Sequence, residues 1–178
     1  MSSGVTVRQV GRADEAPIDG LARVLIDCVE GGASVGFMEG FGHDDAVSFW
    51  MTEVDRVESG DRLLFVAERD EDHEVIGTVQ LVLALPPNQP HSGEITKMLV
   101  HRDARRRGAG EALLRAAQDA AVAAGRTLLT LDTASADAER LYERLGWRRV
   151  GVIPDYALWP DGRFVDTVVF YKRLPDAP

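Results

Sequence analysis

The chain has 178 residues, of which 45% are apolar and 28% charged, as expected for one soluble globular domain. Its formal net charge of −9 argues against a general nucleic-acid-binding protein, which would carry a strong basic excess. A single cysteine excludes an intramolecular disulfide, and no apolar run reaches the roughly 20 residues of a transmembrane helix.

These properties favour a small cationic or amine ligand over nucleic acid or a membrane. The four histidines and Cys28 lack the spacing of metal ligands, so we expect no metal site. The N-terminal residues show no charged segment followed by an apolar one, which predicts no signal peptide and a cytoplasmic location. We expect a single domain over residues 1–178, and the sequence leaves open whether it is a monomer or a homodimer.

The first half of the chain predicts the element order β-α-α-β-β. Apolar residues recur with helical spacing in two segments, and Cys28 lies on the apolar face of the first. Asp44 or Asp45 is suited to cap the second helix. The predicted elements are a strand at 5–10, a helix at 16–30, a helix ending near 59, and strands at 63–68 and 75–84.

The segment 34–43 between the two helices predicts a loop or a distorted helix. It combines three glycines with large apolar side chains, among them Phe37, Met38 and Phe41. A loop with such side chains either packs under the core or forms part of a pocket wall. The sequence leaves both interpretations open.

The central stretch 94–111 predicts a site for an anion. Residues 95–101 have the pattern of a buried strand, 102–107 form a polar turn rich in arginine, and 108–110 open a helix with two glycines. A helix start offers unpaired N–H groups and a positive dipole end, and glycine lets a ligand approach the backbone. We expect a phosphorylated ligand here.

The rest of the chain predicts a helix at 108–124, a strand at 127–133, a helix at 136–145 and strands at 147–153 and 164–174. With the first half, this order predicts a mixed α/β sheet, antiparallel on one side and flanked by helices. A βαβ crossover contains the central stretch.

Two motifs in the second half of the chain indicate one protein family. Arg105-x-x-Gly108-x-Gly110, after a strand and before a helix, resembles the acetyl-CoA pyrophosphate loop of the GNAT family of N-acetyltransferases. Residues 138–147 are similar to its second signature, a helix with Ala-x-x-x-Tyr that ends in Gly-Trp. Residues 131–133, 151–157 and 160–162 resemble the branch that contains tabtoxin-resistance acetyltransferases.

The resemblance implies acetyl-CoA as cofactor and a splayed strand pair that holds it. Backbone N–H groups of 106–111 would bind the pyrophosphate, and 98–100 would pair with the pantetheine arm. An N–H near Met98 or Leu99 would face the thioester oxygen. Ser135 stands where the family often has asparagine. The implied cofactor-binding residues are Met98, Leu99, Val100, Arg105, Arg106, Arg107, Gly108, Ala109, Gly110, Glu111 and Ser135.

Acetyl transfer to an amine needs a base, because a free alkylamine has a pKa of about 10. Glu94 is the first candidate, since its predicted side-chain parity with Thr96, Met98 and Val100 directs it into the cleft. Asp132, at the end of the next strand, is the second. The family match makes Tyr142 the proton donor for the leaving thiolate. Packing alone would also explain Tyr142, and an exposed strand end or a cap would explain the two carboxylates.

The function that we predict is N-acetylation of a small amine, with an antibiotic or toxin-like amino compound as one acceptor class. Phe37, Met38, Phe41 and Tyr156 are candidate acceptor-binding residues. The alternative is a catalytically silent domain that binds CoA as a sensor. A dinucleotide-binding domain fits less well, because Leu113 replaces the third glycine of that motif.

Overall fold

A computed structural model describes residues 4–12 and 16–175; the expectation about a signal peptide concerns, in part, residues outside these ranges. In the described residues, the elements follow one another in the predicted order. They are β1 (Val5–Val10), α1 (Ile18–Glu30), α2 (His43–Glu58), β2 (Arg62–Arg69), β3 (Val75–Val82), β4 (Ser92–Val100), a 3₁₀ turn (Arg102–Ala104), α3 (Ala109–Ala123), β5 (Leu128–Thr133), α4 (Ala136–Arg144), β6 (Arg148–Leu158) and β7 (Phe164–Arg173).

The seven strands of the described residues form one sheet in the order β1-β2-β3-β4-β5-β7-β6. Strands β4 and β5 are parallel, with α3 as their crossover, and the other neighbouring pairs are antiparallel. This confirms the predicted mixed, largely antiparallel α/β fold. None of the described helices has both the length and the apolar character needed to cross a membrane.

Strands β4 and β5 separate along their length. Their pairing runs from Ser92 opposite Leu128 to Glu94 opposite Thr130 and then stops, although β4 continues to Val100. The β4–β5 gap that results leaves backbone polar groups of β4 without a strand partner on that side. The predicted splayed strand pair is therefore present.

A β-bulge in β4 overturns the predicted side-chain parity of this strand. Thr96 pairs with Gln80 and Leu99 with Thr78, so Lys97 and Met98 together stand opposite one residue of β3. Lys97 takes a left-handed φ of 48°. An extra residue in one strand reverses the alternation of side chains beyond it.

The reversal separates residues that the sequence placed on one face. Met98 and Val100 pack with α3, whereas Glu94 and Thr96 face the opposite side of the sheet. The prediction that Glu94 shares its side-chain direction with Met98 and Val100 was therefore wrong. The bulge at Lys97 is the physical reason.

Each face of the sheet carries its own apolar core. The α3/α4 face buries residues such as Leu113, Leu131 and Phe170, and the α1/α2 face buries Leu21 and Trp50. Cys28 is 2% exposed in the second core, as its helical position predicts. Because the strands part at the β4–β5 gap, the two faces meet there.

Candidate active site

The loop between β4 and α3 has the geometry of an anion site. Gly108 has a φ of 89°, which favours glycine, and no atom lies within 4 Å of the position that a Cβ would take. The helical bonds of α3 begin with the Ala112 N–H, which donates to the Gly108 carbonyl at 3.0 Å. The N–H groups of residues 109–111 precede that bond, so they have no partner within the helix.

Gly110 has a different reason to be glycine. A Cβ at Gly110 would lie 3.0 Å from Met98 Cε and 3.2 Å from Leu141 Cδ2. These contacts are tighter than ordinary van der Waals packing, so the missing side chain lets the start of α3 approach β4 and α4. The second glycine of the motif therefore serves the packing that holds the loop in place.

Two of the loop arginines bond back to the protein, although both residues are exposed. The Arg105 Nε donates to the Val100 carbonyl at 3.1 Å. The Arg102 backbone N–H and Nε donate to the two carboxylate oxygens of Asp27, at 2.7 and 2.9 Å. Asp27 is 9% exposed near the end of α1, so it anchors the loop to that helix.

Arg106 and Arg107 point outward instead. The Arg106 side chain is 87% exposed, and its Nη2 lies 3.9 Å from an Asp137 oxygen. Arg107 is also exposed. The Glu111 carboxylate pairs with Arg115 at 2.8 Å and with Arg144 at 3.5 Å. The backbone N–H of Glu111 is therefore the group that can serve an anion, and the two outward arginines are the side chains best placed to add positive charge.

Tyr142 lies on the α3/α4 face. It is 4% exposed, and its ring packs against Trp147 and Phe170, with centroids 5.9 and 5.7 Å apart. Burial, with a smaller effect from the charge of Asp132, raises the pKa of the Tyr142 phenol well above its ordinary value. Tyr142 is thus a core residue whose hydroxyl keeps its proton.

Glu94 and Asp132 lie on the α1/α2 face, at the mouth of the β4–β5 gap. Burial and then the charge of Asp132 raise the pKa of Glu94, while Arg62 and Lys97 act in the opposite direction. The Thr167 hydroxyl donates to the Asp132 carboxylate at 2.7 Å. A raised pKa makes the Glu94 carboxylate a stronger base than an exposed glutamate.

Ser135 takes the capping position that Asp132 could have held. Its hydroxyl oxygen accepts from the Ala138 N–H at 3.3 Å, at the start of α4. Asp132 is held in β5 instead and pairs across the sheet with Val169. The alternative interpretation of Asp132 as a cap for α4 was therefore wrong. A contact of Ser135 with the cofactor stays a prediction.

Sequence reasoning missed Lys97. Its Nζ lies 5.8 Å from the ring centroid of Phe37 and 5.7 Å from that of Phe49, under the loop 34–41. The apolar pattern predicts only that Lys97 lies in a buried strand. Two signals could have marked it: lysine is rare in this chain, with two among the 20 lysines and arginines, and lysine interrupts the strand pattern.

The four residues that the sequence predicts to bind the acceptor divide into two groups. Phe37 and Phe41 stack with centroids 4.2 Å apart beside Lys97. Met38 and Tyr156 are 44% and 55% exposed and belong to no described aromatic contact. The Ser34 hydroxyl donates to the Leu158 carbonyl at 2.8 Å, which ties the loop to the β6–β7 hairpin.

The described residues fit acetyl-CoA. Free N–H groups at the start of α3 and two outward arginines suit its phosphates. The unpaired edge of β4 at residues 98–100 offers backbone partners for an amide-containing arm. Tyr142 lies on one face of the sheet and the two carboxylates on the other, and the charge of Asp132 raises the pKa of both Glu94 and Tyr142.

Comparison with known proteins agrees with this geometry. A family model described as an acetyltransferase (GNAT) domain matches residues 60–149, about half of the chain. An N-acetyltransferase from Staphylococcus aureus Mu50 has a similar structure, with a TM-score of 0.79 and 18% identity, over 97% of this chain and 100% of that chain.

Two further solved structures share the fold. A ribosomal-protein-alanine N-acetyltransferase from Brucella melitensis superposes with a TM-score of 0.76 and 22% identity, over 95% of this chain and 99% of that chain. YncA from Salmonella typhimurium, solved with its cofactor acetyl-CoA, does so with a TM-score of 0.75 and 20% identity, over 96% and 94% of the two chains.

The narrower resemblance to the tabtoxin-resistance branch stays a prediction. The predicted enzyme class and cofactor, an acetyltransferase that uses acetyl-CoA, are confirmed by the family match. The chain belongs to the GNAT acetyltransferase family.

Proposed function

We propose that the protein acetylates the amine of a small molecule by direct attack of that amine. Acetyl-CoA, when bound, supplies the acetyl group as an activated thioester. The observation that supports the proposal is that Asp132, which follows the point where the β4–β5 pairing ends, raises by its charge the pKa of both Glu94 and Tyr142. Holding two reactants together in such a gap can contribute about 7–11 kcal/mol.

The loop and β4 would hold the cofactor. The N–H groups of residues 109–111 donate to phosphate oxygens, and Arg106 with Arg107 adds positive charge at the rim. The backbone of residues 98–100 pairs with the pantetheine arm, and an N–H near Met98 or Leu99 donates to the acetyl oxygen. Arg105 stabilises the loop through its hydrogen bond to the Val100 carbonyl.

Glu94 and Asp132 serve the amine. An ammonium ion that enters the gap from the α1/α2 face meets two carboxylates. Asp132, fixed by Thr167, holds the cation. Glu94 takes the proton at its carboxylate, because burial raises its pKa and makes it a stronger base than an exposed glutamate.

Tyr142 serves the opposite side of the gap. Its buried hydroxyl stays protonated across the physiological pH range, so it can donate to the sulfur that leaves. The tight packing against Trp147 and Phe170 fixes its direction. The same side chain is thus both part of the core and a proton donor.

Two further features favour a small acceptor. The loop 34–41 lies over the α1/α2 face of the gap, and Ser34 and Glu39 both bond to residues 158–160 of the β6–β7 hairpin. These ties narrow the entrance. A second candidate acceptor is an alanine of a protein, since the name of the Brucella melitensis neighbour gives a ribosomal-protein alanine for that protein.

The experiment that tests the proposal measures thiol release from acetyl-CoA with a panel of small amines, amino acids and peptides that begin with alanine. We expect release to depend on a small amine and to yield an N-acetyl product of the expected mass. Release only with the peptides would favour the second candidate. Binding of acetyl-CoA without amine-dependent release would contradict both and support the silent CoA-binding domain.

A further inference from the structure

Lys97 is a cation in an unusual place. The bulge in β4 directs its side chain to the α1/α2 face, where its half-buried Nζ stands beside the rings of Phe37 and Phe49. Burial lowers the pKa of Lys97, while Glu53 is the largest electrostatic influence that raises it. Asp132 and Glu94 also act on it, so Lys97 lies within reach of both candidate bases.

Two of the three carboxylates that act on Lys97, Glu53 and Asp132, have other partners. Glu53 is 3% exposed and accepts from both Arg56, at 2.9 Å, and Arg62. Asp132 accepts from the Thr167 hydroxyl. Among the ion pairs of residues 4–12 and 16–175, none includes Lys97. An ammonium group that loses water without gaining an anionic partner is costly.

The polar cluster beside Lys97 also contains buried donors without an acceptor. Gln80 is fully buried, and its side-chain oxygen accepts from Arg62 at 3.1 Å and from Thr96 at 3.3 Å. Its Nε2, and the Nε of Arg62, have no acceptor within the described residues. These two donors add to the positive potential beside Lys97, which favours an anionic group there over a further cation.

We propose that Lys97 binds an anionic group of the acceptor, so that the acceptor is an amino-acid-like compound with an amine and a carboxylate or similar oxyanion. This rests on the proposed function, in which Glu94 and Asp132 receive the amine. The two ends of such a zwitterion would meet opposite charges on the same face of the gap. Phe37 and Phe49 flank the cation and would shield its pair with the anion from water.

The lysine count makes a direct test possible. The chain contains two lysines, and the Lys172 ammonium is engaged by the Gln118 side chain at 2.8 Å and the Leu145 carbonyl at 2.6 Å. Protein labelled with ¹³C-lysine therefore gives two Cε signals. With CoA present, each standard amino acid is titrated against its carboxamide. We expect an amino acid to shift the Lys97 signal and its carboxamide to leave it in place.

The kinetic test uses the same matched pairs in the thiol-release assay. We expect wild-type kcat/KM for the preferred amino acid to exceed that for its carboxamide by about 10–100-fold, the range of a charge-assisted hydrogen bond. Lys97→Met should bring this ratio near one without changing the KM for acetyl-CoA. Lys97→Arg should keep much of the ratio, and the matched control Lys172→Met should leave it unchanged.

Three outcomes overturn the inference. A wild-type ratio near one, a ratio that survives Lys97→Met, or a Lys97 signal that no amino acid shifts would each contradict an anion anchor at Lys97. Turnover of carboxamides as fast as amino acids would leave the proposed function intact and remove only this inference. Absence of turnover with every amine would instead contradict the proposed function itself.

Discussion

In the proposed mechanism, single residues divide the proton chemistry of the site according to their surroundings. Burial raises the pKa of both Glu94 and Tyr142. The consequence differs, because Glu94 is the proposed base and Tyr142 the proposed acid. Glu94 becomes better at accepting a proton, and Tyr142 becomes better at keeping one until it is needed. Asp132 adds to both effects with its charge.

Removing the charge of Asp132 should lower the pKa of Glu94. In Asp132→Asn we therefore expect the acidic limb of the kcat/KM profile to move to lower pH, while the maximal rate falls because the amine loses a binding partner. Rates across pH 5–9 measure this. Asp166→Asn, an exposed carboxylate on β7, is the control. A limb that stays in place would exclude Glu94 as the titrating base.

The ionised Glu94 carboxylate should lower the free energy of unfolding at neutral pH. A carboxyl whose folded pKa is raised binds an extra proton in the folded state, so stability falls as pH rises from the unfolded toward the folded pKa. We expect Glu94→Gln to raise Tm at pH 7 and to have little effect near pH 4. Melting curves across this range test it, with exposed Glu71→Gln as control. An equal Tm difference at both pH values would contradict this origin.

At the scale of elements, the loop before α3 depends on one left-handed residue. We expect Gly108→Ala to cost about 1–2 kcal/mol, because an L side chain is strained at a φ of 89°. It should also raise the KM for acetyl-CoA by displacing the N–H groups. Gly125→Ala, at a φ of 72° with open space around it, should cost similar stability but leave KM unchanged. Equal KM effects would show that the loop does not hold the cofactor.

The hydrogen bonds between Asp27 and Arg102, which anchor the loop before α3 to α1, are a second feature at the scale of elements. Burial raises the pKa of Asp27, but the hydrogen bonds from Arg102 outweigh it and lower the pKa overall. Its stabilising effect is therefore present at neutral pH and lost as pH falls through that lowered pKa. We expect Asp27→Asn to lose about 1–2 kcal/mol at pH 7 and to raise the KM for acetyl-CoA.

Asp161 provides a matched control for this anchor. Its carboxylate accepts from the Arg163 backbone N–H at 3.1 Å and from its Nε at 2.8 Å, but on an exposed turn. Asp161→Asn should change neither stability nor KM measurably, because surface pairs contribute little. Chemical unfolding and acetyl-CoA titration compare the two variants. An Asp27→Asn enzyme that behaves like Asp161→Asn would exclude the anchor.

The elements also show what the sequence can and cannot predict. The spacing of apolar residues and the positions of capping residues and glycines predict the strands, the helices and the turn at Gly108. These features follow from local geometry. The bulge at Lys97 leaves no local mark, so the parity of Glu94 with Met98 was wrong. The hydrogen bonds of Arg102 depend on Asp27, which lies 75 residues earlier in the chain.

Across the whole molecule, one sheet separates the two proposed tasks of cofactor and acceptor binding. The α3/α4 face carries the loop and Tyr142, and the α1/α2 face carries Glu94, Asp132 and Lys97. The β4–β5 gap joins them. Motifs predict the first face well, since phosphate binding needs a fixed backbone shape. They predict the second poorly, since acceptor binding arises from side chains that are distant in sequence.

The central claim is that groups from both faces carry out one transfer. Its most direct test compares wild type with the double variant Glu94→Gln, Tyr142→Phe in amine-dependent thiol release, with acetyl-CoA affinity measured in parallel. We expect kcat to fall by at least about 100-fold, since general acid and base catalysis each contribute about 10²–10⁴-fold, while the Kd for acetyl-CoA stays within about twofold. A double variant that turns over at the wild-type rate would contradict the claim.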